Sequence, residues 1–319
     1  MDQQHRFNLL SFPRLILIEI ISQLDYESKF QLAQSSTRVR KFIESFKVFY
    51  DSVEINLDQD IMLIRIVNGT QHSLTACNRT SDRKTKFIRI SNRTVTERTY
   101  PRSFMTVFMQ QLRMVLWCPK TSINSLKILD DGKLVGYDNK NCHRLLRRML
   151  KSLNLHLKVQ KFCMISSDNL KLAAFLSALE AENLTTIKIY APVRMELRRT
   201  VDLPQWRGAT TINTSGKIEL DLKTIMKTPN IRTQCSLGLA QFKNLGKFIL
   251  ESSSFKSLEL IDYLYDEQGI IGTTIPFAKD EHSNMHKYIG DGFSVTAEIV
   301  VEDNTSTLIV KKHYNVFAN

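Results

Sequence analysis

The sequence predicts a mixed α+β/α/β chain: a small helical module at the N-terminus, a degenerate strand/helix repeat domain after it, and an antiparallel β unit that closes the C-terminus. Three observations carry this reading. Leu10 to Phe46 holds apolar residues at helical spacing, the chain beyond Pro101 repeats a strand-like apolar pattern at intervals of 25 to 36 residues, and Lys287 to Lys312 alternates with a period of two.

The first helix begins at Pro13, whose fixed φ suits a helix start. Leu15, Ile16, Ile20 and Leu24, with Leu17, Ile18 and Ile21 between them, make it apolar nearly all round, so burial on more than one side is expected. Asp25 and Ser28 supply a break and a cap before a second short helix containing Phe30, Leu32 and Ala33. Ser35 and Ser36 then lead into a third, with Val39, Phe42, Ile43 and Phe46 on its apolar face.

From Val53 the period changes to two. Val53, Ile55 and Leu57 alternate with polar residues, and Ile61 to Val67 meets Gln71 to Cys77 across Asn68-Gly69, a dipeptide that tolerates the positive φ of a tight hairpin turn. Residues 78 to 99 are polar and rich in Arg and Thr. The least ordered part of the chain is expected there, apart from a strand at Lys86 to Ile90.

The repeat is an apolar residue, two others, an apolar residue, one other, an apolar residue. It occurs at Ile123/Leu126/Ile128, Val159/Phe162/Met164, Leu184/Ile187/Ile189 and Leu245/Phe248/Leu250, with a weak copy at Ala209/Ile212/Thr214. Helical patterns fill the intervals: Phe104 to Val115, Leu145 to Leu153, Leu170 to Leu179, and Phe255 to Leu264. This alternation is similar to a degenerate leucine-rich-repeat solenoid lacking the usual Asn ladder, with an ordinary α/β sheet as the alternative. Lys287 to Ile289, Phe293 to Val301 and Thr307 to Lys312 form the closing antiparallel unit, which caps an open sheet edge.

Composition excludes several classes. With 43% hydrophobic residues over 319 positions the chain can bury a sizeable core, and no apolar run is long enough to span a bilayer. No secretory signal pattern is present, so a cytoplasmic and/or nuclear protein is expected and the Asn-x-Ser/Thr sequons are read as chance. Cys77, Cys118, Cys142, Cys163 and Cys235 are odd in number and scattered, which supports neither disulfides nor a metal centre. Nucleotide-binding, hydrolase and zinc-protease motifs are absent. Cys142-His143 are sequence neighbours that a helix would point apart, and His282 with His286 reads as surface, so no catalytic residue, metal or cofactor is expected. The net charge of +12 is compatible with an acidic partner. Arg144, Arg147, Arg148 and Lys151 would line one face of a helix, most simply a solvated one.

Leu10-Ser11-Phe12-Pro13, the helix through Glu19-Ile20-Ile21-Ser22-Gln23-Leu24-Asp25, Phe30-Gln31-Leu32-Ala33 and Ser36-Thr37-Arg38-Val39-Arg40 together resemble an F-box. The spelling of this segment, with Pro204-Gln205-Trp206, Gln241-Phe242-Lys243-Asn244-Leu245 and Gly290-Asp291-Gly292 further on, is similar to the nematode family in which an F-box precedes an F-box-associated type 2 domain. Phe-Pro replaces the usual Leu-Pro, and the aromatic that often ends an F-box is missing. The resemblance implies an F-box over 1–50 and a substrate-binding domain over 51–319, joined in the substrate receptor of a Skp/cullin/F-box ubiquitin ligase, itself without catalytic activity. Phe12, Pro13, Leu15, Ile16, Ile20, Leu24, Phe30, Leu32 and Val39 are the candidate adaptor contacts. Their apolar excess exceeds what so short a unit buries alone.

On the repeat strands the polar alternates Lys127, Lys161, Lys188 and Lys247, with Tyr190, are the candidate substrate contacts, suited to an acidic target protein. Two alternatives stand beside the ligase reading: a repeat-type binding module not coupled to a ligase, and a basic nucleic-acid binder. No membrane partner is expected.

Overall fold

The computed structural model describes residues 11–58, 60–81, 84–91, 94–118, 120–130, 157–197, 199–219, 230–234, 249–251, 255–261, 278–279, 285–290, 293–302 and 305–314. It opens with the expected helices: α1 (Arg14–Gln23), α2 (Tyr26–Ser35) and α3 (Thr37–Glu44). Their starts follow from side chains that satisfy otherwise orphaned N–H groups. The Asp25 carboxylate accepts from the Ser28 N–H at 2.7 Å, and the Ser36 hydroxyl accepts from the Arg38 N–H at 3.3 Å. Ile21, Ala33, Val39 and Ile43 form the small core of this module.

An antiparallel meander follows: β1 (Val48–Leu57), β2 (Ile61–Asn68), β3 (Gln71–Ser81), β4 (Lys84–Ser91) and β5 (Thr94–Tyr100). Asn68 pairs with Gln71 around Gly69, which sits at φ 55° as the hairpin turn requires. The expectation of disorder over 78–99 is corrected, because most of this segment is paired strand. Thr85, Phe87 and Arg89 point inward at period two, so its polar composition reflects an outer face and an edge rather than lack of structure.

α4 (Phe104–Leu116) leads into β6 (Thr121–Leu129), then β7 (Lys158–Ile165), α5 (Asn169–Leu176), β8 (Thr186–Glu196), α6 (Pro204–Gly208), β9 (Thr211–Glu219), β10 (Asn230–Gln234) and β11 (Ser257–Ile261). β12 (Ala278–Lys279), β13 (Met285–Gly290), β14 (Phe293–Glu302) and β15 (Thr305–Tyr314) complete the described strands. All belong to one large mixed sheet, in the order β12-β13-β14-β15-β11-β10-β9-β8-β7-β6-β1-β2-β3-β4-β5. Its middle, from β11 through β6 to β1, is parallel, and both flanks are antiparallel. The closing unit lies where the sequence placed it, with β15 covering the edge of β11.

The repeat pattern maps onto the inner face. Ile123, Val159 and Leu184 are buried, as are Leu126, Phe162, Ile187 and Ile212, which pair strand to strand. The weak copy at Ala209/Ile212/Thr214 is a full member, and Thr214 shares a buried 2.6 Å hydrogen bond with Thr233 on β10. An earlier copy escaped notice: Tyr50, Val53 and Ile55 on β1 stand opposite Ile123, Leu126 and Ile128. The last copy needs correction. Ile249 to Glu251 are helical, and the segment read as helix from Phe255 is strand β11 with Phe255 and Leu258 buried. Phe255, Leu258 and Leu260 obey the repeat spacing, and a short apolar run does not by periodicity alone separate helix from strand. The helix expected over Leu145 to Leu153, with its basic face, and Leu245/Phe248 lie outside the described residues.

Pro204 opens α6, Trp206 is the largest fully buried side chain, and the Gln205 amide donates to the Leu179 carbonyl at 2.7 Å. Gly216 marks a closer constraint. Its φ is +81°, and a Cβ there would lie 2.2 Å from the Ala191 carbonyl oxygen across the β8–β9 irregularity. Gly69 shares the positive φ but has open space around it. Gly216→Ala is therefore expected to cost at least about 2 kcal/mol and Gly69→Ala about 1 kcal/mol. Urea unfolding midpoints check this, and equal losses at the two positions would show that the β8–β9 irregularity relaxes freely.

Candidate functional site

The helical module is attached to the inner face of the meander through a partly buried electrostatic cluster. Arg89 on β4 donates from Nη2 to the Asp25 carboxylate at 2.7 Å and from Nη1 to Glu27, while its guanidinium lies 4.7 Å from the centroid of the Tyr26 ring. The Tyr26 and Thr75 hydroxyls share a 3.0 Å hydrogen bond, and Tyr26 is part of the main core. Asp25 thus serves two elements at once, capping α2 and holding β4. Burial alone raises its pKa, but the Ser28 hydrogen bonds and the Arg89 charge outweigh that and hold the carboxyl below its ordinary value.

Apolar contacts complete the attachment. Phe30 meets Trp117 edge-to-face at 5.7 Å, Trp117 packs against the module's own core, and the Lys120 ammonium donates to the Ser45 carbonyl at 3.1 Å. These contacts sort the candidate adaptor residues. Val39 is only 7% exposed inside the module, Leu32 packs on the same cluster, and Phe30 packs on the main core. In this structure all three face the protein's own interior; Ile20 and Leu24 are half-buried. Leu15 is 79% exposed and Ile16 46%, beside exposed Pro13 and half-buried Phe12 on the outer face of α1.

The second candidate surface is the outer face of the sheet. Residues paired across neighbouring strands share a face. Glu54, Lys127, Cys163, Lys188, Asn213, Arg232 and Glu259 accordingly form one row from β1 to β11. Leu129, Ile165 and Tyr190 form the adjacent row, with Tyr190 46% exposed. Lys161 lies on the same face, two positions before Cys163. Lys127 is 3.7 Å from Glu54 and Arg232 is 3.3 Å from Glu259, whereas Lys161 and Lys188 have no acidic partner among the described residues. Burial raises the Cys163 thiol pKa, against the pull of Lys127 and Lys188. Lys247 lies outside the described residues.

Among the described residues no cluster of potential ligands could hold a metal ion, and no helix is long and apolar enough to cross a membrane. His286 lies on β13, while Cys142-His143 and His282 fall outside the described residues. Burial pushes the Cys77 thiol up to about 12, leaving it protonated and inert. One buried ion pair, Lys171 with Asp130 at 2.7 Å, joins α5 to the end of β6. The residues missed from sequence are Arg89, Glu27, Tyr26 and Trp117. Arg89 had a legible signal, since it occupies the inward parity of a strand whose neighbours at that parity are Thr85 and Phe87.

Family comparison defines the class first: residues 9–51 match the F-box domain. Residues 140–270 match the FTH domain, so the chain has the nematode-type arrangement of an F-box followed by an FTH domain. The second domain thus carries the FTH description where its sequence resembles the F-box-associated type 2 domain. Among curated proteins and among solved structures, none matches. The FTH match takes in β7 to β11, while the sheet continues beyond it on both sides.

The cluster at Arg89 makes two expectations testable. Arg89→Met leaves Asp25 and Glu27 without their cation and should cost about 3 kcal/mol, with faster amide exchange in α2. The folded Asp25 pKa is depressed, so its contribution is present above the ordinary carboxylate pKa and is lost as pH falls through the folded value. The protection of α2 amides relative to their intrinsic exchange rates should therefore fall below about pH 4, and Asp25→Asn should flatten that dependence.

Proposed function

We propose that this chain is the substrate-recognition subunit of a Skp/cullin/F-box ubiquitin ligase. The F-box match supports a substrate-adaptor role, and the adaptor surface is the outer face of α1 around Phe12, Pro13, Leu15 and Ile16. The carrying observation is Leu15. A leucine left 79% exposed beside Ile16, on a helix whose other side is anchored, is apolar area reserved for a partner. In this account residues 1–50 are the docking module and 51–319 the receptor, whose parallel middle has a leucine-rich-repeat-like character: one strand per repeat, apolar positions inward, polar alternates outward. The target is an acidic protein that meets Lys127, Lys161 and Lys188, with Tyr190 as an aromatic anchor. The chain has no chemistry of its own, works in the cytoplasm or nucleus, and positions the target for other subunits.

The test uses the full chain and a purified Skp-type adaptor. Leu15→Asp with Ile16→Asp should weaken adaptor capture at least about tenfold while shifting urea unfolding by no more than about 0.5 kcal/mol. Undiminished capture would contradict the docking surface. Exchanging Lys127, Lys161 and Lys188 for Glu should spare adaptor capture and change the set of proteins co-recovered with the adaptor-bound chain. An unchanged set would contradict the receptor face.

A further inference from the structure

A cleft of about 400 Å³ lies where the helical module meets the sheet. Ile21, Ile43 and Phe46 form its apolar wall on the module side, and Tyr50 and Ile66 its wall on the sheet side. Its volume suits a small molecule, and its lining is mixed, the apolar walls facing polar and charged side chains that include Asp25, Lys29, Lys47, His72 and Arg89.

Its charge is unbalanced. Asp25 is the one carboxylate among the lining residues, and both its oxygens are occupied, Oδ1 by the Ser28 N–H and Oδ2 by Arg89. Lys29 and Lys47 also line the cleft, and neither forms an ion pair among the described residues. Lys29 is half-buried, and loss of water lowers its pKa more than the nearby Asp25 charge raises it, so its ammonium is only partly compensated. On the same lining the Ser73 hydroxyl is buried with no hydrogen-bond partner among the described residues.

We propose that this cleft binds a small organic acid, its apolar body against Ile21, Ile43 and Phe46 and its carboxylate or phosphate head on Lys29 and Lys47. Because the walls come from two units, such a ligand fastens the helical module to the sheet. Leu15 and Ile16 are not among the lining residues, and adaptor docking there is not required for it.

The experiment titrates the full chain with octanoate, octyl phosphate, octanol and inorganic phosphate, reading calorimetric binding and the thermal unfolding midpoint. At least one amphiphilic acid should bind with a Kd of about 1 mM or tighter and raise the midpoint, with octanol and inorganic phosphate markedly weaker; the preferred head group distinguishes a carboxylate from a phosphate ligand. Lys29→Gln with Lys47→Gln should weaken the acid at least about tenfold without moving the ligand-free midpoint, and Lys41→Gln, outside the cleft, should leave affinity unchanged. Octanol binding as well as the acids, no binding by either acid, or undiminished binding by the double variant would each overturn the proposal.

Discussion

The charged cluster around Arg89 is the interaction on which the seating of the helical module rests, with Phe30–Trp117 and Lys120–Ser45 beside it. A guanidinium on the inward side of a strand is costly unless its charge is met, and here Asp25, Glu27 and the face of Tyr26 meet it together. Every one of those partners sits at the start of α2. The cap that begins α2 is therefore also the bond that fixes it to β4, so folding the helix and seating the module are coupled. With α2 fixed, α3 follows through Ile43 and Val39, Phe30 reaches Trp117, and α1 is left with one side buried and Leu15 outward.

A sheet this wide has to control its edges. At one end β15 covers β11, and the strand order then runs out through β14 and β13 to the short β12. At the other end β5 is exposed, with Val95 on its outer face. Symmetric antiparallel pairing of two copies of β5 is nevertheless disfavoured. The register that keeps the whole strand paired places Glu97 opposite Glu97, and like charges directly opposed repel. Glu97 is instead tied to its own sheet through Lys86 at 2.9 Å.

Local signals were the legible ones. Asp25 and Ser36 announced the helix starts, Asn68-Gly69 the hairpin, and the spacing at Ile123, Val159 and Leu184 a set of parallel strands. Tyr50 was passed over because β1 continues into an antiparallel hairpin, which hides the parallel pairing on its other side. Phe255 and Leu258 were misassigned because the same spacing suits a helix. Which apolar side chains of the module face outward was not written locally at all. Val39 and Phe30 are as apolar as Leu15, and only the position of α4 and the meander decides that they are covered. The lysines of the outer face were found by alternation alone, but the pairing of Lys127 with Glu54 depends on a parallel β1–β6 pairing that sequence did not predict.

In the proposed arrangement the module is held to the sheet through α2 and meets its adaptor through the outer face of α1. Amide hydrogen exchange of the full chain, with and without a saturating Skp-type adaptor, measures this most directly. New protection should concentrate in α1, with α2 and β4 already protected in the free chain and unchanged in the complex. Unprotected α1 amides, or loss of protection in α2 as the adaptor binds, would contradict it.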